Sequence, residues 1–114
     1  MKSQETTNRI IESLLQTKFV QPKCYLQSKL KLNDVAEMIG TNRTYLSHYF
    51  NHCKNTTFYA YINTLRLEYA LKLMSAGDFS LKQIAAKSGF TSYSSFHRAF
   101  ITKFGYAPSS SQDK

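Results

Sequence analysis

Two short runs of side chains in this 114-residue chain combine hydrogen-bonding chemistry with helical spacing. Thr44, Ser47, His48 and Asn51 recur at intervals of three and four, as do Ser94, His97, Arg98 and Ile101. Residues so spaced share one face of an α-helix. Hydroxyl, imidazole, amide and guanidinium groups on such a face hydrogen-bond base edges or phosphates, and a helix carrying them fits the major groove of a duplex. A second constellation, His48, His52 and Cys53, offers metal-ligating or nucleophilic groups. It lacks a fourth ligand for a metal and an orienting third group for a nucleophile. Cys53 falls on the apolar side of its helix, so the expectation is a packing role for Cys53, with no metal, no cofactor and no enzyme.

Those stripes need helices to hold them, and helical patterning runs through almost the whole chain. There are only 4 Gly and 2 Pro, apolar residues recur every three or four positions, and no segment alternates as a half-buried strand does. The spacing predicts a first helix over 6–18, with Ile10, Ile11, Leu14 and Leu15 on one side, then a connector from Pro22 through Lys31. Asn33 is the expected N-cap of a short helix over 34–39 that Gly40 stops, and Thr41 that of a second helix over 42–53. Thr56 or Thr57 opens a long helix ending at Gly77, whose apolar residues cover more than one face, so it is expected to pack on two sides. Ser80 and Gln83 form a capping-box pattern for a helix closed by Gly89, and Ser92 caps a last helix reaching Phe104. The fold class is all-α.

An internal repeat organises these elements. Val35-Ala36-Glu37-Met38-Ile39-Gly40 matches Ile84-Ala85-Ala86-Lys87-Ser88-Gly89 at an offset of 49, and the helices that follow match at 50. Leu46, Tyr49, Phe50 and Cys53 correspond to Phe96, Ala99, Phe100 and Lys103 as packing positions. Asn55 lines up with Gly105, and both residue types tolerate the left-handed conformation that ends a helix. Repeated pattern and punctuation indicate a duplicated unit of short helix, turn and longer helix. In each copy the inward stripe leaves the hydrogen-bonding stripe facing out, and neither longer helix contains Asp or Glu. A single polar stripe is ordinarily a solvated face. Two equivalent, acid-free stripes in a chain with 15 Lys plus Arg against 7 Asp plus Glu, a formal charge of +8, make a polyanion the expected partner.

Length and composition exclude other classes. A chain of 114 residues is one small domain or two small subdomains, too little for a cofactor-binding domain beside a substrate domain. Cys24 and Cys53 are too few and too far apart for a disulfide framework or a zinc quartet, which fits a reducing compartment. No apolar run approaches the ~18 residues of a membrane span, and no signal-peptide pattern opens the chain. The expected location is cytoplasmic and nucleoid-associated, with no membrane contact by this segment, whatever tethers a longer parent protein.

The run Asp34-Val35-Ala36-Glu37-Met38-Ile39-Gly40-Thr41-Asn42-Arg43-Thr44-Tyr45-Leu46-Ser47 closely resembles part of the DNA-binding domain of AraC/XylS-type bacterial transcription regulators. So do Leu65-Arg66-Leu67 with Ala70 and Leu73, Ile84-Ala85 to Gly89-Phe90, Phe96 to Phe100, and Phe104-Gly105-Tyr106-Ala107-Pro108-Ser109. The resemblance covers residues 30–109. It departs at Asn55, where the family has Gly, and after Ser109, where Ser110, Ser111 and Gln112 replace an aromatic and a basic residue. It implies two homeodomain-like helix-turn-helix subdomains, 32–54 and 80–105, joined by a long central helix over 57–76. An N-terminal helix and connector over 1–29 would precede them and a disordered tail over 110–114 follow.

The resemblance further implies sequence-specific binding of double-stranded promoter DNA by an activator acting with RNA polymerase, through two recognition helices in successive major grooves. The residues expected to bind DNA are Asn42, Arg43, Thr44, Ser47, His48, Tyr93, Ser94, His97 and Arg98. Arg98 is the foremost base reader, because its fork matches guanine O6 and N7. Lys54, Lys87 and Lys103 are better placed for phosphates. Regulators of this type carry a separate sensing or dimerisation domain, for which 114 residues leave no room, so the chain is expected to be either a stand-alone regulator set by its abundance or, favoured by its polar start and Ser-rich end, a C-terminal piece of a longer sensor protein. The competing expectation is a basic helical module that binds an acidic protein or anionic surface without preference among DNA sequences.

Overall fold

Side-chain caps and left-handed turns cut the chain into helices. The computed structural model describes residues 2–109, so the 110–114 tail expected from the sequence lies outside the described residues. Among the described residues are six α-helices and no strand, an all-α fold: α1 (Lys2–Leu15), α2 (Leu32–Ile39), α3 (Arg43–His48), α4 (Phe58–Ala76), α5 (Leu81–Lys87) and α6 (Tyr93–Phe104). α1 continues into a π-helical turn, Gln16–Val20, and α3 into another, Tyr49–Cys53. The connector after α1 contains one 3₁₀ turn, Cys24–Leu26.

The duplication extends to individual hydrogen bonds. Lys31 N–H donates to Asp34 Oδ2 at 2.9 Å, and 49 residues on Ser80 N–H donates to Gln83 Oε1 at 2.9 Å. Gln83 N–H in turn donates to Ser80 Oγ at 3.2 Å, completing a capping box. At the far end of α2, Thr41 N–H reaches Ala36 O at 2.9 Å and Gly40 N–H reaches Glu37 O at 3.2 Å. Phe90 and Gly89 repeat this pair after α5, reaching Ala85 O at 3.1 Å and Ala86 O at 3.2 Å. Both are Schellman closures, and they require the left-handed φ of +83° at Gly40 and +96° at Gly89. The longer helices start on equivalent caps, Asn42 Oδ1 accepting from Tyr45 N–H at 2.9 Å and Ser92 Oγ from Ser95 N–H at 3.1 Å. They end in equivalent left-handed residues, Asn55 at φ +51° and Gly105 at φ +85°.

Three local expectations need correction. α2 is capped at Lys31, not Asn33, because Asp34 as the third helical residue supplies the acceptor from inside the helix. Asn42, not Thr41, caps α3: Asn42 Oδ1 accepts from Tyr45 N–H, while Thr41 belongs to the Schellman closure of α2. Cys53 is exposed and does not pack inward. The π turn explains this: Lys54 N–H bonds to Tyr49 O at 3.1 Å, five residues back, which winds the chain less per residue and carries Cys53 off the apolar stripe.

The chain forms two compact units. The first comprises the chain up to Tyr25 together with Lys29–Tyr61. α1 and its π turn pack there on α2 and on the π turn after α3, burying Ile11, Leu15, Phe19, Val35, Ile39, Leu46, Tyr49 and Phe50. The second comprises Leu26–Ser28 and the chain from Ile62 onward. Its core is Leu67, Ala70, Ile84, Ala85, Phe90, Phe96 and Phe100. α4 belongs to both, which accounts for its apolar residues on more than one face: Phe58 is buried in the first unit, Leu67 and Ala70 in the second. Within the second unit Arg66 is buried, donates from Nη2 to Gln27 O at 2.7 Å and stands 5.8 Å over the Phe90 ring, tying the 26–28 segment to α4.

One buried group in the second unit is unsatisfied. Ser88 is fully buried where α5 ends, and its Oγ has no hydrogen-bond partner among the described residues. A hydroxyl removed from water without a partner costs about 1–3 kcal/mol, while Ala fits the same backbone. Ser88→Ala is therefore expected to raise stability by about 1 kcal/mol, read as a higher urea midpoint at unchanged m-value. An unchanged or lower midpoint would count against this account.

Candidate nucleic-acid interface

Burial on one side of each longer helix determines what the other side presents. Leu46, Tyr49 and Phe50 are 0–1% exposed, as are Phe96 and Phe100. Phe96 and Phe100 are each worth roughly 1.5–3 kcal/mol of burial, so α6 cannot rotate without losing that contribution. The opposite faces are concave. Arg43, Thr44, Ser47, His48, Asn51 and His52 line the first hollow, of about 340 Å³. Tyr93, Ser94, His97, Arg98, Ile101 and Thr102 line the second, of about 490 Å³. Adding 50 to each residue number of the first set produces the second, so the two hollows are one surface built twice.

Of the residues expected to bind DNA, Arg43, Thr44, Ser47 and His48 come together in the first hollow, and Tyr93, Ser94, His97 and Arg98 in the second. Asn42 is exposed but lies outside the hollow lining, its Oδ1 engaged as a cap. Asn51, His52, Ile101 and Thr102 also line the hollows. Asn51 and Ile101 belong to the outward stripes that the three- and four-residue spacing defines, and His52 and Thr102 lie four residues beyond His48 and Arg98 on the same faces. Inside the first hollow Asn51 Nδ2 donates to Ser47 Oγ at 3.3 Å, and the rings of His48 and His52 stack at 4.4 Å. In the second hollow a different pair of rings, Tyr93 and His97, is in contact at 5.8 Å.

The three lysines expected at phosphates lie outside both hollow linings. Lys54 Nζ pairs with Glu12 Oε1 at 3.2 Å, Lys87 Nζ stands 4.6 Å over the Phe79 ring, and Lys103 is exposed on α6. Glu12, on α1, also accepts a hydrogen bond from the hydroxyl of buried Tyr49 at 2.9 Å. That hydrogen bond, then Lys54's hydrogen bond and charge, hold the Glu12 carboxyl below the usual carboxylate range. Burial, reinforced by Glu12, pushes the Tyr49 phenol up, and burial with Glu12's charge pushes Tyr61 up to about 12. Among the described residues no three His, Cys, Asp or Glu side chains converge as metal ligands would, and no helix is long and apolar enough to cross a membrane.

The surface offers hydroxyl, imidazole, amide and guanidinium groups on the outward faces of the two longer helices, without a carboxylate in either helix. Comparison with known proteins places the chain among helix-turn-helix proteins. The model of a helix-turn-helix domain family matches residues 35–114. The TCP pilus virulence regulatory protein of Vibrio cholerae is 34% identical over 90 residues, 75% of this chain and 32% of that protein. The HTH-type transcriptional regulator ExsA of Pseudomonas aeruginosa is 31% identical over 108 residues, 95% of this chain and 37% of that protein. The solved structure of ToxT from Vibrio cholerae superposes with a TM-score of 0.70 at 32% identity, covering 80% of this chain and 34% of ToxT. The chain thus spans about a third of the length of the curated relatives it matches.

Because Glu12 has a lowered pKa in the fold, its contribution to stability is present above the ordinary carboxylate value of about 4.3 and is lost as pH falls through the lowered value. Glu12→Gln is expected to have a shallower loss of stability than the parent from about pH 4.3 downward, measured by urea titration at a series of pH values. Identical acid limbs in the two proteins would remove Glu12 from the account.

Proposed function

This chain belongs to the AraC/XylS-type family of helix-turn-helix transcription regulators, a family of DNA-binding proteins and not of enzymes, and on that footing we propose that it binds double-stranded promoter DNA sequence-specifically. The observation that carries the reading is the pair of register-equivalent, acid-free hollows on α3 with its π turn and on α6. Each of these helices enters the major groove, and the two take successive segments of one side of the duplex. Arg43, Thr44, Ser47, His48, Tyr93, Ser94, His97 and Arg98 face base edges, with Asn42 at the first turn of α3. Lys54, Lys87 and Lys103 contact phosphates. The segment acts in the cytoplasm at the nucleoid as the DNA-binding part, residues 30–109, of an activator that recruits RNA polymerase, with sensing or dimerisation supplied elsewhere.

Selection from random duplexes tests the reading. A preferred site bound well above nonspecific DNA at stated salt is expected; equal binding to all duplexes would favour the alternative, a basic module for acidic proteins or surfaces. On the selected site, Arg98→Ala should cost about 1–3 kcal/mol and relax preference at one base pair. Uniform weakening on all sequences would make Arg98 a phosphate contact instead.

The phosphate assignments have a separate signature. Lys87→Gln and Lys103→Gln should each flatten the plot of log K against log salt by about 0.9 without changing sequence preference. Lys54 has a competitor in Glu12, so Glu12→Gln should bind more tightly at low salt, with a steeper plot. An unchanged slope there would mean that Lys54 does not reach a phosphate.

A further inference from the structure

The two hollows correspond position by position, and at one position a hydrogen-bonding side chain gives way to a purely aliphatic one. Where the first presents the Asn51 amide, the second presents the aliphatic side chain of Ile101, 40% exposed. Phe96 and Phe100, both 0% exposed, hold α6 in one rotation. Ile101 follows Arg98 by three residues and His97 by four, so it stands on the same outward face, one turn further along. Gly105 N–H donates to Ile101 O at 2.8 Å, keeping the backbone helical to the cap. A β-branched side chain is stiff at χ1, so Ile101 offers apolar surface in a defined place.

The major groove presents one apolar group, the C5-methyl of thymine. We propose that Ile101 is a specificity-determining residue that packs against a thymine methyl in the DNA bound by the second unit. The proposal rests on the DNA-binding reading above and adds to it the identity of a base that Arg98 does not read. Three residues of helix advance about 4.5 Å, against about 3.4 Å per base pair. With α6 lying along the groove, the thymine is one or two base pairs from the guanine that Arg98 reads.

The test uses the whole chain and the duplex obtained by selection. Each thymine is replaced in turn by deoxyuridine, which deletes the methyl and keeps base pairing. At one thymine, one or two base pairs from the position relaxed in Arg98→Ala, the parent should lose roughly fourfold in affinity, equivalent to about 0.8 kcal/mol for a buried methyl-sized group. Ile101→Val should keep that discrimination, and Ile101→Ala should bind the thymine and uracil duplexes alike, with an unchanged circular dichroism spectrum. Discrimination that survives in Ile101→Ala overturns the proposal, as does a selected site in which no thymine methyl matters; either result leaves the DNA-binding reading standing. Failure to select any preferred site overturns that reading and this proposal together.

Discussion

A helix can offer one stripe of side chains to a ligand only if its opposite stripe is immobilised, and in this chain the immobilising groups are mainly aromatic. Tyr49 and Phe50 pack at 5.6 Å between ring centroids, and Phe50 continues to Phe58 and Tyr61. Phe96 packs on Phe90 and Phe100, and Phe100 on Phe104 and Tyr106. Edge and tilted ring contacts of this kind are directional as well as apolar. They fix the rotation of each longer helix, and everything the hollows display follows from that. The short helices α2 and α5 contribute little surface of their own. Their Schellman closures and caps set the angle at which the longer helix leaves, and the same hydrogen bonds recur in both copies.

Placing a tyrosine in that stripe has an electrostatic consequence. A phenol packed against the core needs a partner for its hydroxyl, and Tyr49 finds one in Glu12, 37 residues earlier on α1. The same carboxylate pairs with Lys54, just past the π turn. α1 is therefore coupled to the first hollow's helix by burial and by a charged contact near that helix's end. Both ionic side chains are largely solvated, and such a pair is worth at most about 1 kcal/mol in stability. Its importance lies in where it holds a positive charge. The second unit has an aromatic counterpart, Lys87 over Phe79, which keeps a cation near the short helix without neutralising it.

Most of the scaffold was legible because its punctuation is local. Gly40, Gly89, Ser80 with Gln83, Ser92 and Gly105 each act within five residues of their own position, and each performs the role its type suggests. Spacing alone placed eight candidate side chains in two hollows. What spacing missed has a common cause. The π turn after α3 adds a residue per hydrogen-bonded ring, and no residue type announces it, so Cys53 was assigned to the wrong face. Asn33 and Thr41 are good caps by type, but the helices begin at other residues: Lys31 N–H is held by Asp34, and Asn42 accepts from Tyr45 N–H. The Glu12 contacts join residues 37 and 42 positions apart, beyond any periodic pattern.

The comparison of the two copies separates scaffold from recognition. Across the 49- and 50-residue offsets the capping and closing hydrogen bonds are retained, while the hollow-lining side chains change at every equivalent pair. Backbone geometry demands particular residues, a glycine at positive φ or a hydroxyl at an N-cap, and tolerates few others. A solvent-facing stripe makes no such demand on the fold, so its composition is open to selection by whatever it touches. On the proposed reading, that ligand is a duplex, and the division of labour follows from its own chemistry. The phosphates are alike at every step and answer to net charge, which here is +8. The base edges differ, and they answer to arrangement: two guanidiniums, three imidazoles and several hydroxyls on equivalent faces, and an isoleucine where the other copy has an amide. Charge of this size would attract the chain to any polyanion, and only the two stripes distinguish one duplex from another.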